Sequence, residues 1–262
     1  GYSMYSLSTM RGCPYTCKWC SRAVYGGTYR RRSPKLVVDE MESLKQNYNP
    51  DRIWFVDDVF TISHKWLKEF HEEVLKRNVI IPFEIITRAD RMNEEVIQLL
   101  KESGCFRVWI GAESGSQEII DAMDRRVDVK MVREMIIKAK AAGLEAGTFI
   151  MLGYPGEKKK DIRETIHHLK TSDPTFYTIT LAYPITGTPL HNEVNQTLQT
   201  QGKWNTTTDR DSDFKRTHSR QFYKHALTWV YSELNYHKAK DIVGKIKFKS
   251  KSFIAQTYML LS

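Results

Sequence analysis

Cys13, Cys17 and Cys20 lie in the stretch Arg11-Gly12-Cys13-Pro14-Tyr15-Thr16-Cys17-Lys18-Trp19-Cys20, and the 262-residue chain has one other cysteine, Cys105. Four cysteines scattered at random would give this Cys-x3-Cys-x2-Cys triplet on the order of 0.001 times, so chance is a poor account of it. Three thiolates on a short loop can hold three irons of a four-iron cluster and leave the fourth iron without a protein ligand. An open iron is a place for chemistry, whereas a fully ligated cluster mainly moves electrons. Two other uses of the thiols compete. A structural zinc site closes with a fourth Cys or His at ligand spacing, and the first histidine of the chain is His64. A disulfide with one spare thiol is also conceivable, but a chain of this length buries a core without staples and nothing in it suggests secretion.

The triplet, with the aromatic Trp19 just before its last cysteine, resembles the signature of the radical S-adenosylmethionine (radical SAM) enzymes. The resemblance implies a [4Fe–4S] cluster on Cys13, Cys17 and Cys20, with the open iron chelated by the amino acid end of SAM. It implies that an electron from the cluster splits the sulfonium and that the resulting 5′-deoxyadenosyl radical takes a hydrogen from substrate. It also places Trp19 near the adenine; taken alone, such a tryptophan packs a loop.

The elements that must position this loop alternate strand and helix over the first two-thirds of the chain. The expected strands are Tyr5 to Met10, Ile53 to Val56, Pro82 to Thr87, Phe106 to Ile110, Thr148 to Leu152 and Phe176 to Leu181. Helices at 3.6-residue periodicity fall between them. Ser33-Pro34 starts one, Asn93 caps another that Gly104 stops, and Asp128 opens a third that Gly143 closes. The apolar run Ile53-Trp54-Phe55-Val56 reads as a strand buried on both faces. Six such units imply a parallel sheet with right-handed crossovers, either open or curled toward a barrel. The family resemblance selects a partial (β/α)6 TIM-like barrel. Ligands of such sheets sit at the carboxyl ends of strands, and the cysteine loop follows the first one.

The other strand ends supply candidate cofactor contacts. Strand two ends in Asp57-Asp58-Val59-Phe60. The family's matching turn, more often Gly-Gly-Glu-like, meets the amino group of SAM; the Asp-Asp-x-Phe form resembles the branch that carries amino-terminal cobalamin-binding domains. The competing role is a turn that caps the next helix. Arg88, after strand three, suits the SAM carboxylate or a buried ion pair, with Glu84 nearby. Strand four ends Gly111-Ala112-Glu113-Ser114-Gly115-Ser116, where the resemblance sets Glu113, and more weakly Ser114, against the ribose hydroxyls; Ser114 can equally cap a helix. Strand five, Gly147 to Glu157 with Ile150 and Gly153, is the family's adenine support through backbone and apolar contacts. Tyr183, after strand six, could flank the adenine or simply make a turn. Cys105 opens strand four at the opposite end and reads as a buried structural thiol.

Composition is that of a soluble globular protein, 41% hydrophobic and 27% charged, with a net charge of +9. No apolar run reaches the length of a membrane span and no secretory signal opens the chain, so a cytoplasmic location is expected. Residues 203–251 hold 12 Lys/Arg against 5 Asp/Glu. Interleaved with aromatics, this stretch could touch nucleic acid or an acidic membrane face, but it carries no nucleic-acid motif and reads as a solvated surface. The expected domains are a core at 1–190 and, at 191–262, a polar loop (195–213) plus a basic, mostly helical extension. Phe214 to Lys240 reads as a helix, and the alternation Lys245-Ile246-Lys247-Phe248-Lys249 suits a strand or an edge. The chain begins Gly1-Tyr2 and ends Tyr258-Met259-Leu260-Leu261-Ser262, which reads as a segment of a longer protein.

The expected function is radical methylation, cyclisation or rearrangement of a small organic or lipid-like substrate. A reductant such as flavodoxin or ferredoxin is implied, and cobalamin, if used, would be bound by a domain outside these residues. The alternatives are a methylthiotransferase-like core acting on tRNA or protein and a non-catalytic electron-transfer or redox-sensing cluster protein.

Overall fold

The computed structural model describes residues 1–21, 25–200 and 208–262. Six strands form one sheet: β1 (Met4–Leu7), β2 (Arg52–Phe55), β3 (Phe83–Thr87), β4 (Cys105–Glu113), β5 (Glu145–Leu152) and β6 (Phe176–Leu181). Their spatial order is their chain order, and every neighbouring pair is parallel. β1 and β6 are not paired with each other, so the barrel is partial and open, as expected. Between and after the strands run α1 (Pro34–Tyr48), α2 (His64–Lys76), α3 (Glu94–Glu102), α4 (Gln117–Ala122), α5 (Val129–Ala141), α6 (Lys159–Ser172), α7 (Pro189–Val194), α8 (Arg220–Lys238) and α9 (Ile242–Leu261).

Local chemistry explains the boundaries. Ser33, Ser63 and Asn93 each accept a hydrogen bond from the amide three residues on, at the starts of α1, α2 and α3, which satisfies an otherwise orphaned helix donor. Strand side chains alternate between two faces. One face presents Ile53, Phe55, Phe83, Ile85, Val108, Ile110, Ala146 and Ile150 to the helices, all buried. Phe55, Phe60, Phe70 and Phe83 close this core, with edge contacts such as Phe55–Phe83 at 5.1 Å between centroids.

The other face lines the concave side. There Trp109 stacks on Phe149 with centroids 5.0 Å apart, and Glu84 accepts hydrogen bonds from Trp109 Nε1 (2.9 Å) and Arg107 Nη1 (3.1 Å). Trp54 and Val56 are 37% and 44% exposed on it, against the expectation that strand two is buried on both faces. The cause is the open sheet: among the described residues no opposite wall covers its first strands.

Several other boundaries differ from the sequence reading. The first strand stops at Leu7, because Asp57 draws the Thr9 and Met10 amides out of line; Met10–Arg11 then pairs antiparallel with Arg30–Arg31. The helix expected from Phe214 starts only at Arg220, where Ser219 caps it. The segment Lys245 to Lys249 lies inside α9, not in a strand. Five alternating residues fit either period, and the buried Ser252, Ala255 and Met259 farther along, at helical spacing, decide it. In the expected 195–213 loop, Gln199–Thr200 pairs with Ser212–Asp213, and 201–207 lie outside the described residues.

Gly115 brings the β4–α4 turn against α6. A Cβ there would sit 2.4 Å from Glu164 O and from Thr165 Cα, both backbone atoms that cannot swing aside. Gly115→Ala is therefore expected to destabilise by about 2–3 kcal/mol, lowering the thermal midpoint by about 5–10 °C. An unchanged midpoint in calorimetry would show that α6 can withdraw at no cost.

Candidate functional site

The loop from Gly12 to Cys20 crosses the carboxyl-end rim of the sheet. Gly12 has φ +87° and passes so close to residue 28 that a Cβ would meet Thr28 O at 2.0 Å, so only glycine fits there. Beyond it the loop is tied down at several points. Lys18 N donates to Met123 O (3.0 Å), Lys18 O accepts from Leu190 N (2.9 Å), and Lys18 Nζ pairs with Glu193 at 2.6 Å. Arg91 Nε donates to the Tyr15 hydroxyl (2.5 Å). All four cysteines are free, with Cys17 and Cys105 buried. Among the described residues no three His, Cys, Asp or Glu side chains converge as the ligands of a single ion would. In a four-iron cluster each thiolate binds a different iron.

Charged side chains from three strand ends surround the thiols. Burial pushes Cys20 up to about 12, with Asp58, Cys17 and Cys13 adding to it; burial also raises Cys13. Asp58 itself is raised by burial and by Asp57. Asp57 faces the other way. It is 1% exposed and accepts from Thr9 N (2.7 Å) and Met10 N (3.1 Å), with the Thr9 hydroxyl and Arg31 beside it. Of the Asp-Asp pair, Asp58 is therefore the one that feels the cysteines.

Arg88 is buried with its guanidinium 3.8 Å from the Tyr15 ring centroid. It donates to Arg125 O (2.8 Å), to Asp90 Oδ1 (2.8 Å) and, weakly, to Cys17 Sγ (3.7 Å). Glu113 ends β4 at a bulge, where the register shifts between Gly111 and Glu113. A bulge re-aims the side chains after it: Glu113 Oε1 comes to lie 2.8 Å from where a Gly111 Cβ would be. It pairs there with Arg125 at 3.6 Å, and Arg125 also donates to Gly111 O (2.6 Å) and lies 5.6 Å from the Trp19 ring centroid. Burial raises the Glu113 carboxyl, and Arg125 and then Arg88 oppose it. Glu113, Asp124 and Arg126 all take left-handed φ, +65°, +49° and +54°. Such strain in non-glycine residues costs on the order of 1–3 kcal/mol each and collects at functional sites.

The remaining candidates sit differently. Ser114 is bonded to Thr165 Oγ1 (3.3 Å) and to Ser116 N (3.1 Å), inside the packing against α6. Ile150 points to the helices, so it can offer a ligand only its backbone. Gly153, at φ +78°, has Arg216 against it, 2.9 Å from a Cβ position. Tyr183 is half-buried beneath Arg210, and Arg216 donates to Ala182 O (2.5 Å). Sequence reasoning missed Arg125, Tyr15 and Arg216. Arg125 stands in Asp124-Arg125-Arg126, which looks like a solvated turn and carries no signal in the sequence.

The Radical SAM superfamily matches residues 7–169, more than half of the chain. The chain belongs to the radical SAM superfamily. An uncharacterized methyltransferase of Pyrococcus horikoshii is 31% identical over 186 residues, covering 70% of this chain and 40% of that protein. The anaerobic magnesium-protoporphyrin IX monomethyl ester cyclase of Rubrivivax gelatinosus is 29% identical over 166 residues, covering 63% of this chain and 30% of that protein. Among solved structures, the radical SAM methyltransferase TsrM of Kitasatospora setae, with tryptophan and a SAM analogue bound, aligns at TM-score 0.70 and 22% identity over 79% of this chain and 42% of its own. The same protein is also known with cobalamin and a [4Fe–4S] cluster bound. This likeness establishes the fold. The chain spans well under half the length of these relatives.

Radical SAM proteins use a [4Fe–4S] cluster and SAM, and the donor set here fits. Three unbridged thiols share one anchored loop, in the electrostatic range of one another and of Asp58. Among the described residues no helix is long and apolar enough to cross a membrane.

In this radical SAM chain the turn after β5 closes on Glu157, which is wholly buried and accepts from Gly153 N (2.6 Å). Burial raises its carboxyl from 4.5 to about 8. Folding thus favours the protonated form, and the stability this contributes is complete below pH ~4.5 and is lost as pH rises toward 8. Glu157→Gln keeps the acceptor for Gly153 and removes the titration. Urea titrations at pH 5, 6.5 and 8 should show the wild type losing stability relative to the variant as pH rises; a constant difference would place the titration elsewhere.

Proposed function

We propose that this chain is the core of a radical SAM enzyme that reductively cleaves SAM at a cluster on Cys13, Cys17 and Cys20 to generate a 5′-deoxyadenosyl radical. The observation that carries the reading is the anchored three-thiol loop facing Asp58, Arg88 and the Glu113–Arg125 pair on one rim of an open barrel. When bound, the cluster supplies an iron for the amino acid end of SAM and the electron that breaks its sulfonium. The protein's own residues hold and orient. Asp58 is an acceptor for the ammonium, and Arg88 bears on the thiol loop and on a carboxylate placed there. Glu113 accepts from the ribose hydroxyls, Trp19 and the backbone at Ile150 and Gly153 flank the adenine, and Tyr183 closes the far side. Ser114 acts through the turn that carries Glu113.

Residues 1–190 are proposed as the catalytic core and 191–262 as its extension; the sheet's last strand ends at Leu181. The net reaction we propose is methylation, cyclisation or rearrangement of a small organic or lipid-like substrate. The methyltransferase and cyclase relatives support it. Cobalamin, held by a domain outside these residues, is the proposed second cofactor. Flavodoxin or ferredoxin in the cytoplasm is the proposed reductant.

Anaerobic reconstitution tests the reading. Iron and sulfide should approach four of each per chain, and SAM with dithionite should release 5′-deoxyadenosine; a reconstituted cluster inert to SAM would sink the proposal. Cys17→Ala should abolish cluster assembly while circular dichroism stays native, since Cys17 lies on the rim loop and not in a strand or helix. Glu113→Gln should weaken SAM binding about tenfold, the loss of one charge-assisted hydrogen-bond set, with iron content unchanged. Loss of iron in that variant would refute the ribose assignment.

A further inference from the structure

Beside the cysteine loop, on the side of β1, lies a groove of about 620 Å³ lined by Ser8, Thr9, Met10, Arg11, Arg30, Arg31, Arg32 and Glu40. Its walls are the short antiparallel pair in which Met10 faces Arg31 and Arg11 faces Arg30. Four guanidiniums meet one carboxylate, and that carboxylate is already taken: Glu40 pairs with Arg32 at 2.6 Å. Arg32 is further used by Ser8 O (3.0 Å) and belongs to the frame. Arg11 and Arg30 are exposed, with no acidic partner among the described residues.

Arg31 is the unusual member. Its side chain is 6% exposed and lies flat on Trp66, 3.5 Å from the ring centroid. Nε and Nη2 donate to Thr9 Oγ1 at 3.2 and 3.0 Å, and Asp57 stands 3.7 Å away. Nη1 is buried with no hydrogen-bond partner among the described residues. A buried, unmet N–H donor on a cation costs about 1–3 kcal/mol or more, and a phosphate oxygen in the groove would supply the acceptor it lacks. Burial lowers the guanidinium to about 10, against the pull of Asp57, which leaves it charged at neutral pH. Guanidinium groups donate in a planar fork that matches phosphate oxygens.

We propose that this groove is a binding site for a phosphate monoester dianion, held by Arg11, Arg30 and Arg31 Nη1, next to the site that carries the chemistry. The three cations and the absence of a free carboxylate among the described lining residues favour a dianion over a monoanionic carboxylate or diester. The site stands on its own residues and does not depend on the SAM reading.

The test uses the full-length protein in low-chloride buffer, with orthophosphate, dimethyl phosphate and acetate as probes in calorimetric titrations. Orthophosphate is expected to bind saturably and at least tenfold more tightly than the other two. Arg30→Gln and Arg11→Gln, both at exposed positions, are each expected to weaken it about tenfold while SAM binding in the same samples stays unchanged. Arg163→Gln, an exposed arginine on α6 outside the groove, serves as control and should have no effect. Failure of orthophosphate to saturate, a preference for the diester or acetate, or equal affinity in Arg30→Gln and wild type would each overturn the proposal.

Discussion

The site is organised around one buried guanidinium. Arg88 leaves the end of β3 and reaches, with a single planar group, the Tyr15 ring and Cys17 thiol on one side and the Arg125 carbonyl on the other. The cysteine loop and the α4–α5 turn are about 110 residues apart in the chain, and Arg88 joins the Lys18 N–Met123 O hydrogen bond in holding them together. Arg125, once its backbone is fixed in this way, can lay its own side chain across Gly111 and Glu113. The left-handed residues Glu113, Asp124 and Arg126 flank these contacts. The strain is thus held by hydrogen bonds to charged donors, which are roughly twice as strong as neutral ones, and relaxation of the turn would release the loop with it.

Much of this frame is legible in the sequence because it follows from periods and caps. The six strands, and the helices with apolar residues at three- and four-residue spacing, are local patterns. So is the placement of the cysteines at a strand's carboxyl end. What the sequence hides is long-range. Asp57 reads as one of two equivalent aspartates, yet backbone amides of Thr9 and Met10 claim it and leave Asp58 to face the thiols. Ser114 and Gly153 lie in motif turns whose neighbours, Thr165 and Arg216, come from helices and loops dozens of residues later. Arg125 has no period and no cap to mark it. Trp54 reads as core because its strand is apolar throughout, and only the missing opposite wall of the barrel exposes it.

The electrostatics of the rim have a direction. Burial raises Cys13, Cys20, Asp58 and Glu113 together, while Arg88 opposes it at Cys13 and Arg125 and Arg88 oppose it at Glu113. Glu113 has Arg125 at 3.6 Å, and Asp58 has no ion pair among the described residues. On the proposed reading, metal bound at the thiols would supply positive charge there and release their protons, with the three cysteines rather than Asp58 and Glu113 as its ligands. The two carboxylates would be relieved by a ligand that brings its own cation. On the proposed reading SAM does so twice, through its ammonium and its sulfonium. The same imbalance runs the other way in the arginine groove, where cations outnumber acids. The two neighbouring surfaces are therefore of opposite demand, one completed by a cation and the other by an anion, and a single small ion cannot satisfy both.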